Sequence, residues 1–242
     1  TALLEKQDIP IIIESTGTIV ANNIVDVRPQ VTNVVKEIHI KEGQEVKKGQ
    51  LLFTLDDRND RANYDKAKAV ADDAQRQLQR AKELVAQNFI SKAGLDTAEA
   101  NAKSAAASAR AAEVQLSFDY IRSPIDGRAG IINVFPGSLV ALGNIVTTTS
   151  SSTATTALGA MVTITQLDPI NVQFIVGENN IPLLLQSDPA NLKVSVTVGD
   201  SRPQVYEGKV IVVDNQVDPA IGAVRVKAQI SNDKRTVLPG QF

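Results

Sequence analysis

Two stretches of similar sequence stand 94 residues apart and flank a segment without proline. The first is RPQVTNVVKEIHIKEGQEVKKGQLLFTL from Arg28, and the second is RSPIDGRAGIINVFPGSLVALGNIVTTT from Arg122. Both contain the spacing G-x-x-V-x-x-G followed by an apolar run, which places glycines where tight turns need positive φ. Because two half-units of short strands bury their apolar faces only against each other, the repeat predicts a single β-sandwich. The glycines predicted to occupy structural turns are Gly43, Gly49, Gly137 and Gly143.

The segment between the two halves predicts an antiparallel coiled-coil hairpin. It is rich in alanine, and its small or apolar residues recur at alternating spacings of three and four. At about 1.5 Å per residue, each arm would be roughly 40 Å long. Because an alanine seam buries little apolar area, we expect the hairpin to be only marginally stable alone. The predicted seam consists of Tyr64, Ala67, Ala71, Ala74, Leu78, Ala81 and Val85 in the first arm, and of Leu95, Ala98, Ala102, Ala105, Ala109, Ala112 and Leu116 in the second.

Both ends of the chain predict strands of another β unit. Alternating runs occur in IPIIIESTGTIVANNIVDV near the start and in INVQFIV, KVSVTV, YEGKVIVVD and AVRVKAQI after Pro169. A short helix is predicted in ENNIPLLLQ (178–186), and the polar segment 147–159 is predicted to be a flexible linker. The predicted fold class is therefore mainly β with an inserted α-helical coiled-coil hairpin. The predicted nested modules are a β-barrel from residues 1–29 and 158–242, a β-sandwich from 30–57 and 121–150, and the hairpin 58–120.

Composition excludes several classes of protein. The 25 basic and 27 acidic residues give a net charge of −2 without a basic patch, so nucleic acid is not an expected partner. The absence of cysteine excludes disulfides and thiolate chemistry, and no apolar run has membrane-spanning length. The chain begins at Thr1 and has one methionine, Met161. We therefore expect that an N-terminal segment, with a signal peptide, lipidated cysteine or membrane anchor as candidates, was removed, and that the strand at VLPGQF continues.

Several quoted segments resemble the periplasmic adaptor subunits, or membrane fusion proteins, of RND-type multidrug efflux pumps. These are EIHIKEGQEVKKGQLLFTLD, YIRSPIDGRAGIINVFPGSLV, ITQLDPINVQFIV and VDNQVDPAIGAVRVKAQISN with the final VLPGQF. The resemblance covers nearly the whole chain in order. It implies a lipoyl-like domain for the β-sandwich, an α-hairpin, a β-barrel domain and a membrane-proximal domain that is largely missing here.

The same resemblance implies a function and a set of partners. The protein would be a non-catalytic adaptor without a cofactor, located in the periplasm and anchored to or associated with the inner membrane. Its partners would be an inner-membrane RND transporter and a TolC-like outer-membrane channel. About six copies would assemble into a ring whose lumen carries the exported drug.

The resemblance also implies a binding site at the hairpin tip. In this family an Arg, a Leu four residues later and a Ser seven residues after that engage the outer-membrane channel, and Arg80, Leu84 and Ser91 have those spacings. Arg80 and Leu84 would lie on one face beside the seam, and Ser91 would cap the second helix. Phe89 and Ile90 would be exposed until the channel or a neighbouring protomer covers them. The alternative is that Arg80 is a solvated charge and Leu84 is partial core.

Other functions fit parts of the pattern. A lipoyl or biotinyl carrier needs a modified lysine between the half-motifs, where this chain has about 60 residues of coiled coil and no Met beside any lysine. An adaptor of an ABC-type exporter is the principal alternative, because macrolide-type adaptors share this architecture, whereas type I secretion adaptors usually have longer hairpins. Heavy-metal adaptors use Met and His clusters, which one Met and one His do not supply.

An enzyme is not predicted. With no Cys and one His, the usual nucleophile–base and metal-ligand sets are scarce. His39 alternates with apolar residues in EIHIKEG and is expected to point outward from a strand. The pair Asp56-Asp57 is interpreted as a helix-entry cluster, and the pair Asp72-Asp73 as part of a solvated helix face.

Overall fold

The computed structural model describes residues 12–142, 144–147, 155–157, 159–180, 182, 192–198, 204–219, 221–233 and 235–242. Within these residues the protein is mainly β-structure with two long α-helices, which confirms the predicted fold class. The chain divides into two compact units. One unit, Val25–Ile164, contains both halves of the repeat and both helices, and the other is formed by the chain up to Ile24 and from Thr165 onward.

The elements follow each other in an order that reflects this division. In chain order they are β1 (Gly17–Ala21), β2 (Ile24–Val27), β3 (Asn33–Ile38), β4 (Glu45–Val46), β5 (Leu51–Leu55), α1 (Arg58–Ala86), α2 (Lys92–Ser117), β6 (Tyr120–Arg122), β7 (Gly127–Ile132), β8 (Leu139–Ala141), β9 (Asn144–Thr147), β10 (Thr155–Ala157), β11 (Val162–Thr165), β12 (Ile170–Gly177), β13 (Lys193–Val198), β14 (Gln204–Asp218) and β15 (Ala223–Ile230). The sheets have the strand orders β1-β12-β15-β14-β13, β10-β9-β8-β3-β5-β6 and β2-β11-β7-β4.

The two halves of the repeat exchange strands. In the first half, β4 pairs with β7 of the second half and places Glu45 opposite Arg128. In the second half, β8 pairs with β3 of the first half and places Leu139 opposite Val34. Since Glu45 and Leu139 are 94 residues apart in sequence, as are Val34 and Arg128, the two pairings occupy equivalent places in the repeat. Each half therefore completes the sheet of the other, as the repeat predicts.

The core of the repeat unit is built from apolar residues of both halves and of the segments that flank them. Full burial of a side chain such as Leu52 or Phe53 contributes about 1.5–3 kcal/mol to folding as an upper estimate. The buried set is Val27, Val35, Ile40, Val46, Leu52, Phe53, Leu55, Ile121, Ala129, Val134, Val140, Met161, Val162 and Ile164. Hydrophobic burial thus holds the two halves together across the long helical insertion.

The helices α1 and α2 pack against each other along the predicted seam. Leu78, Ala81 and Ala102 are buried, and the other predicted seam residues are half-buried. The remaining residues of both helices are exposed, apart from Asp60 and Glu99. The 29 residues of α1 span about 43 Å at the usual helical rise. The heptad pattern therefore predicts the packing of the hairpin correctly.

The other unit is a five-stranded antiparallel sheet whose core contains Ile19, Ile170 and Ile230. Its strands β14 and β15 approach closely where Gly208 lies opposite Ile230. A Cβ at Gly208 would lie 2.5 Å from both the Gln229 carbonyl oxygen and the Ile230 Cγ2 atom. The absence of a side chain at this position therefore permits the pairing.

The linker expectation differs from the structure, and the short-helix expectation is tested only at its first turn. The predicted linker 147–159 contains β10, which pairs with β9 in antiparallel register, so backbone hydrogen bonds order part of this polar segment. The predicted helix 178–186 begins with a 3₁₀ turn at Glu178–Asn180, and most of the rest lies outside the described residues. Composition predicts neither feature, because both depend on which neighbouring strand or turn supplies hydrogen-bond partners.

Candidate docking site at the hairpin tip

The first arm of the hairpin ends in a hydrogen-bonded turn. The N–H of Asn88 donates to the Val85 carbonyl oxygen at 2.9 Å, and the N–H of Phe89 donates to the Leu84 carbonyl oxygen at 2.9 Å. Asn88 has a φ of 61°, in the left-handed region that asparagine tolerates better than most residues. These bonds form a Schellman motif, which satisfies carbonyl groups that a helix end otherwise leaves without partners. The break in the helix at Gln87-Asn88 is therefore a defined cap.

The second arm begins at Ser91 with a side-chain cap. Ser91 has extended backbone angles, and its Oγ accepts a hydrogen bond from the N–H of Gly94 at 3.3 Å. The sequence prediction of an N-cap at this position is confirmed. A capping Ser of this kind stabilises a helix start by about 0.5–2 kcal/mol relative to Ala.

The turn leaves apolar and charged side chains at the surface. Phe89 is 72% exposed and Leu84 is 41% exposed. Arg80 and Ser91 are also exposed, and Arg80 forms no ion pair or hydrogen bond with another described residue. The tip thus presents two apolar groups and a guanidinium whose donors are available to a partner.

The expectation that Ile90 is exposed is wrong. Ile90 is half-buried, and its Cδ1 atom lies 3.8 Å from the position that a Cβ on Gly94 would occupy. Ile90 directly precedes the N-cap, a position from which apolar side chains fold back onto the first turn of the helix. Its side chain therefore supports the turn, and Phe89 is the more exposed of the two apolar residues.

The glycines predicted for structural turns share one local geometry where they are described. Gly43, Gly49 and Gly137 have φ values of 72°, 81° and 90°, and Gly143 lies outside the described residues. At Gly137 the turn is closed by the N–H of Ser138, which donates to the Phe135 carbonyl oxygen at 2.9 Å. The Ser138 Oγ accepts a hydrogen bond from the N–H of Phe135 at 3.1 Å. Around Gly43, the Gln44 N–H donates to the Lys41 carbonyl oxygen, and the Gln44 Oε1 accepts from the Lys41 N–H. The two halves of the repeat therefore share both the glycine and the side-chain hydrogen bond that closes the turn.

The two halves of the repeat differ in surface chemistry. Ile131, Phe135 and Leu142 are 73%, 72% and 66% exposed, and the Val34–Leu139 pair is also exposed. The positions equivalent to Ile131, Phe135, Leu139 and Leu142 in the first half are Glu37, Lys41, Glu45 and Lys48. The second half therefore exposes apolar groups where the first half has charges.

At the opposite end of the hairpin, a carboxylate network was not predicted from the sequence. Asp57 is the N-cap residue of α1, but its side chain makes no cap hydrogen bond. Instead its buried carboxylate accepts hydrogen bonds from the Tyr120 hydroxyl at 2.7 Å and the Lys36 ammonium at 3.4 Å. The Tyr120 hydrogen bond is the main cause that lowers the pKa of Asp57. The Tyr120–Asp57 contact joins residues that are 63 positions apart, which local sequence patterns do not reveal.

Two of the candidate catalytic residues weighed from the sequence, His39 and Asp73, have structural partners. The His39 Nε2 lies 2.7 Å from the Thr54 hydroxyl, and Asp73 pairs with Arg76 at 3.2 Å. In the described part of the chain, no three His, Cys, Asp or Glu side chains are grouped to hold a metal ion. Neither of the long helices has an apolar stretch that could cross a membrane, as far as the described residues show.

Residues 23–157, which include the repeat and the hairpin, match the family model described as the barrel-sandwich hybrid domain of RND MFPs. The chain belongs to the RND membrane fusion protein family. Residues 169–242 match the β-barrel domain of RND membrane fusion proteins. The two matches follow the two structural units and agree with the predicted lipoyl-like and barrel architecture.

Curated relatives of this RND membrane fusion protein carry the name multidrug resistance protein MdtA. The relative from Photorhabdus laumondii is 31% identical over 257 aligned residues, which cover 100% of this chain and 61% of the relative. The relative from Escherichia coli strain SMS-3-5 is also 31% identical, with 98% of this chain and 58% of the relative covered. The chain thus spans about three-fifths of the length of these relatives.

Solved structures of similar fold include a chimeric protein. A MacA-MexA chimeric protein that contains the Pseudomonas aeruginosa MexA α-hairpin domain has a TM-score of 0.72 and 28% identity, covering 94% of this chain and 78% of the chimera. A putative efflux transporter from Bacteroides eggerthii has a TM-score of 0.71 at 20% identity, covering 99% of this chain and 72% of that protein. The second likeness concerns the fold alone.

Proposed function

We propose that this RND membrane fusion protein is a periplasmic, non-catalytic adaptor in a tripartite multidrug efflux pump. It is associated with the inner membrane and bridges an RND drug/proton antiporter there to a channel in the outer membrane. The observation that carries the proposal is the hydrogen-bonded tip with exposed Leu84 and Phe89, on a hairpin inserted into a domain of this family. The name of the MdtA relatives supports multidrug export as the process served.

The proposed channel-binding site is the tip itself. Leu84 and Phe89 supply apolar area that becomes buried on docking, and Arg80 supplies donors for carbonyl or carboxylate groups of the channel. Ser91 fixes the start of the second arm, and Ile90 supports the turn. Because the turn is already hydrogen-bonded, docking costs little further ordering of the backbone.

Site-specific photo-crosslinking in cells tests this assignment. A photoreactive amino acid in place of Phe89, in the full-length protein, should form an adduct that mass spectrometry identifies as an outer-membrane channel. The matched position is Val205, which is 65% exposed in the β-barrel unit. The same probe at Val205 should give no channel adduct. A channel adduct from both positions, or from neither, contradicts docking through the tip.

We also propose that copies of this protein associate through the second half of the repeat. The exposed side chains of Ile131, Phe135 and Leu142 supply apolar area that association would bury. A neighbouring copy in a ring of about six would cover it. The first half has charged residues at the equivalent positions, such as Lys41, and offers an internal control for the same turn geometry.

The modules of the proposed adaptor have separate tasks. The barrel, built from both ends of the chain, contacts the inner-membrane transporter, the lipoyl-like sandwich forms a collar, and the hairpin reaches the channel. The division of the chain after Ile24 and before Thr165 supports a barrel that forms from both ends. The bounds of α1 and α2 support a hairpin within residues 58–120.

A further inference from the structure

One face of the five-stranded sheet collects basic side chains from three strands. Buried and exposed residues alternate in β15, so Arg225 and Lys227 share the face that points away from the core. The pairing of β15 with β14, and of β14 with β13, places Lys209 and Lys193 on that same face. All four side chains are exposed, and together they are called the basic face. Strand pairing thus assembles a basic surface that the net charge of −2 and the order of the sequence do not indicate.

Two members of the basic face repel each other. Lys193 lies directly opposite Lys209 in the register of β13 and β14. Side chains in such a pair are about 5 Å apart at Cβ, and like charges there destabilise a sheet. In the described part of the chain neither lysine has an ion pair or a side-chain hydrogen bond, although the exposed acid Glu207 precedes Lys209 by two residues. The arrangement therefore leaves two ammonium groups available to negative groups of a partner.

The other two cations alternate with exposed aliphatic side chains. Lys227 lies opposite Val212 on β14, and Arg225 lies opposite Ile175 on β12. Val212 is 52% exposed and Ile175 is 46% exposed. The Arg225 guanidinium lies 3.6 Å from the Asp218 carboxylate, whereas Lys227 has no ion pair with a described residue. The basic face therefore offers both unneutralised ammonium groups and apolar area.

This combination suits the surface of a lipid bilayer. Headgroup phosphates accept hydrogen bonds from lysine ammonium groups, and aliphatic side chains gain from burial at the boundary between headgroups and acyl chains. A negatively charged protein surface would pair with the same lysines, so the experiments have to separate the two partners. The aliphatic residues between the cations favour the bilayer.

We propose that the basic face of the barrel unit docks on a bilayer surface that contains anionic phospholipids. Lys193, Lys209 and Lys227 bind the headgroup phosphates, while Val212 and Ile175 enter the interfacial layer. The inference rests on the proposed association with the inner membrane, to which it assigns a contact surface. It does not involve the hairpin tip, so it can fail while docking to the channel holds, and the reverse.

Vesicle co-sedimentation of the full 242-residue chain tests the lipid contact. The vesicles contain phosphatidylethanolamine and phosphatidylglycerol at about three to one, and in the neutral control phosphatidylcholine replaces phosphatidylglycerol. The chain should bind the anionic vesicles more tightly than the neutral ones, and rising ionic strength should weaken this binding. Equal binding to both kinds of vesicle, or binding to neither, overturns the proposal.

Paired lysine variants test whether the basic face carries the binding. Because each lysine near an anionic leaflet strengthens binding about fivefold, Lys209→Gln with Lys227→Gln should bind roughly 25-fold more weakly. Lys41→Gln with Lys48→Gln removes the same charge from exposed positions of the repeat unit and should bind like the unmodified chain. Equal losses in the two double variants would show attraction by net charge alone and would overturn the assignment.

The unfolding midpoint separates a binding role of the lysines from a structural one. Lys193→Gln removes the like-charge pair with Lys209 and should leave the midpoint in chemical denaturation unchanged or raise it, while vesicle binding falls about fivefold. A lower midpoint in Lys193→Gln means that the lysine stabilises the sheet and contradicts the proposal.

Photo-crosslinking in cells separates a bilayer from an acidic protein. A photoreactive amino acid in place of Val212, in the full-length protein, should give an adduct with the mass of a phospholipid. An adduct with a protein alone, or no adduct, overturns the membrane contact. The channel adduct expected from Phe89 is scored separately, so the two outcomes remain distinguishable.

Discussion

The backbone N–H of Phe89 donates a hydrogen bond of 2.9 Å to the carbonyl oxygen of Leu84. This bond joins the last turn of α1 to the residue that follows the left-handed Asn88. It fixes the spacing of two exposed apolar residues at the point where the hairpin reverses. The tip is therefore a preformed apolar surface, and its binding properties depend on the turn as much as on the side chains.

Truncation of Leu84 should weaken docking without affecting folding. Since Leu84 is 41% exposed, Leu84→Ala removes little packing within the hairpin but loses apolar area at the proposed interface. We expect a loss of about 1–2 kcal/mol in docking free energy, roughly tenfold in affinity, and a matching loss of drug resistance. Susceptibility assays and protein abundance measured together check this outcome.

Charge reversal at Arg80 should abolish efflux for a different reason. Arg80→Asp replaces the hydrogen-bond donors of the guanidinium with a carboxylate that only accepts. The new negative charge should repel the carbonyl and carboxylate groups of the channel that Arg80 is proposed to bind. The matched variant is Lys82→Asp, an exposed residue of the same helix, and it should retain resistance. Normal resistance in Arg80→Asp, or equal loss in both variants, rejects a specific role for Arg80.

The left-handed turn at Asn88 should tolerate Gly but not Val. At a φ of 61°, Asn88→Val should destabilise the cap by about 1–2 kcal/mol, whereas Asn88→Gly should change it by a few tenths. Hydrogen exchange of the Phe89 amide reports the cap directly. Equal protection in the two variants would show that the turn does not constrain the tip.

An acidic substitution at Phe135 should dissociate the proposed ring. Phe135→Asp places a charge in the exposed apolar surface, and Lys41→Asp makes the equivalent change in the first half of the repeat. Analytical ultracentrifugation and in-cell crosslinking of the full-length protein should show loss of higher oligomers in the first variant alone. If Phe135→Asp assembles normally, another surface carries the association.

The Tyr120–Asp57 hydrogen bond should contribute stability at neutral pH and less in acid. Because the folded pKa of Asp57 lies below 3.8, its contribution is present above that value and is lost as pH falls through the folded pKa. Tyr120→Phe should lower the free energy of unfolding by about 1–3 kcal/mol at pH 7, and by less at pH 3. Tyr206→Phe provides the control, since the Tyr206 hydroxyl contacts the neutral side chains of Gln204 and Thr236. A loss in Tyr120→Phe that does not depend on pH contradicts this assignment.

Gly208 should resist substitution even by alanine. The added Cβ would lie 2.5 Å from the backbone of β15, so Gly208→Ala should destabilise the barrel unit by about 1–3 kcal/mol. Gly177→Ala is the matched variant, because a Cβ there meets no atom within 4 Å. Chemical denaturation should give a lower unfolding midpoint for Gly208→Ala than for Gly177→Ala. Equal midpoints would contradict the close approach of β14 and β15 at Gly208.

The architecture follows from the amino-acid pattern wherever one local rule repeats. The heptad spacing selects the buried seam of both helices, because an α-helix returns to the same face every three or four residues. The repeat around Gly43 and Gly137 predicts a shared sandwich, because each half leaves an apolar face uncovered. The N-cap at Ser91 follows from a single hydroxyl at a helix start.

Which side chains meet across long sequence separations depends on how the folded elements pack together. Asp57 has the sequence position of a helix cap, yet its carboxylate bonds to Tyr120, which is 63 residues away. Asp119 is a single acid after a helix in the sequence, and only the folded structure shows that it is fully buried and accepts a hydrogen bond from Asn33, which is 86 residues away. Ile90 folds onto the second arm while Phe89 remains exposed, although the two are adjacent apolar residues. Local patterns predict backbone geometry, whereas burial and hydrogen-bond partners depend on distant parts of the chain that packing brings together.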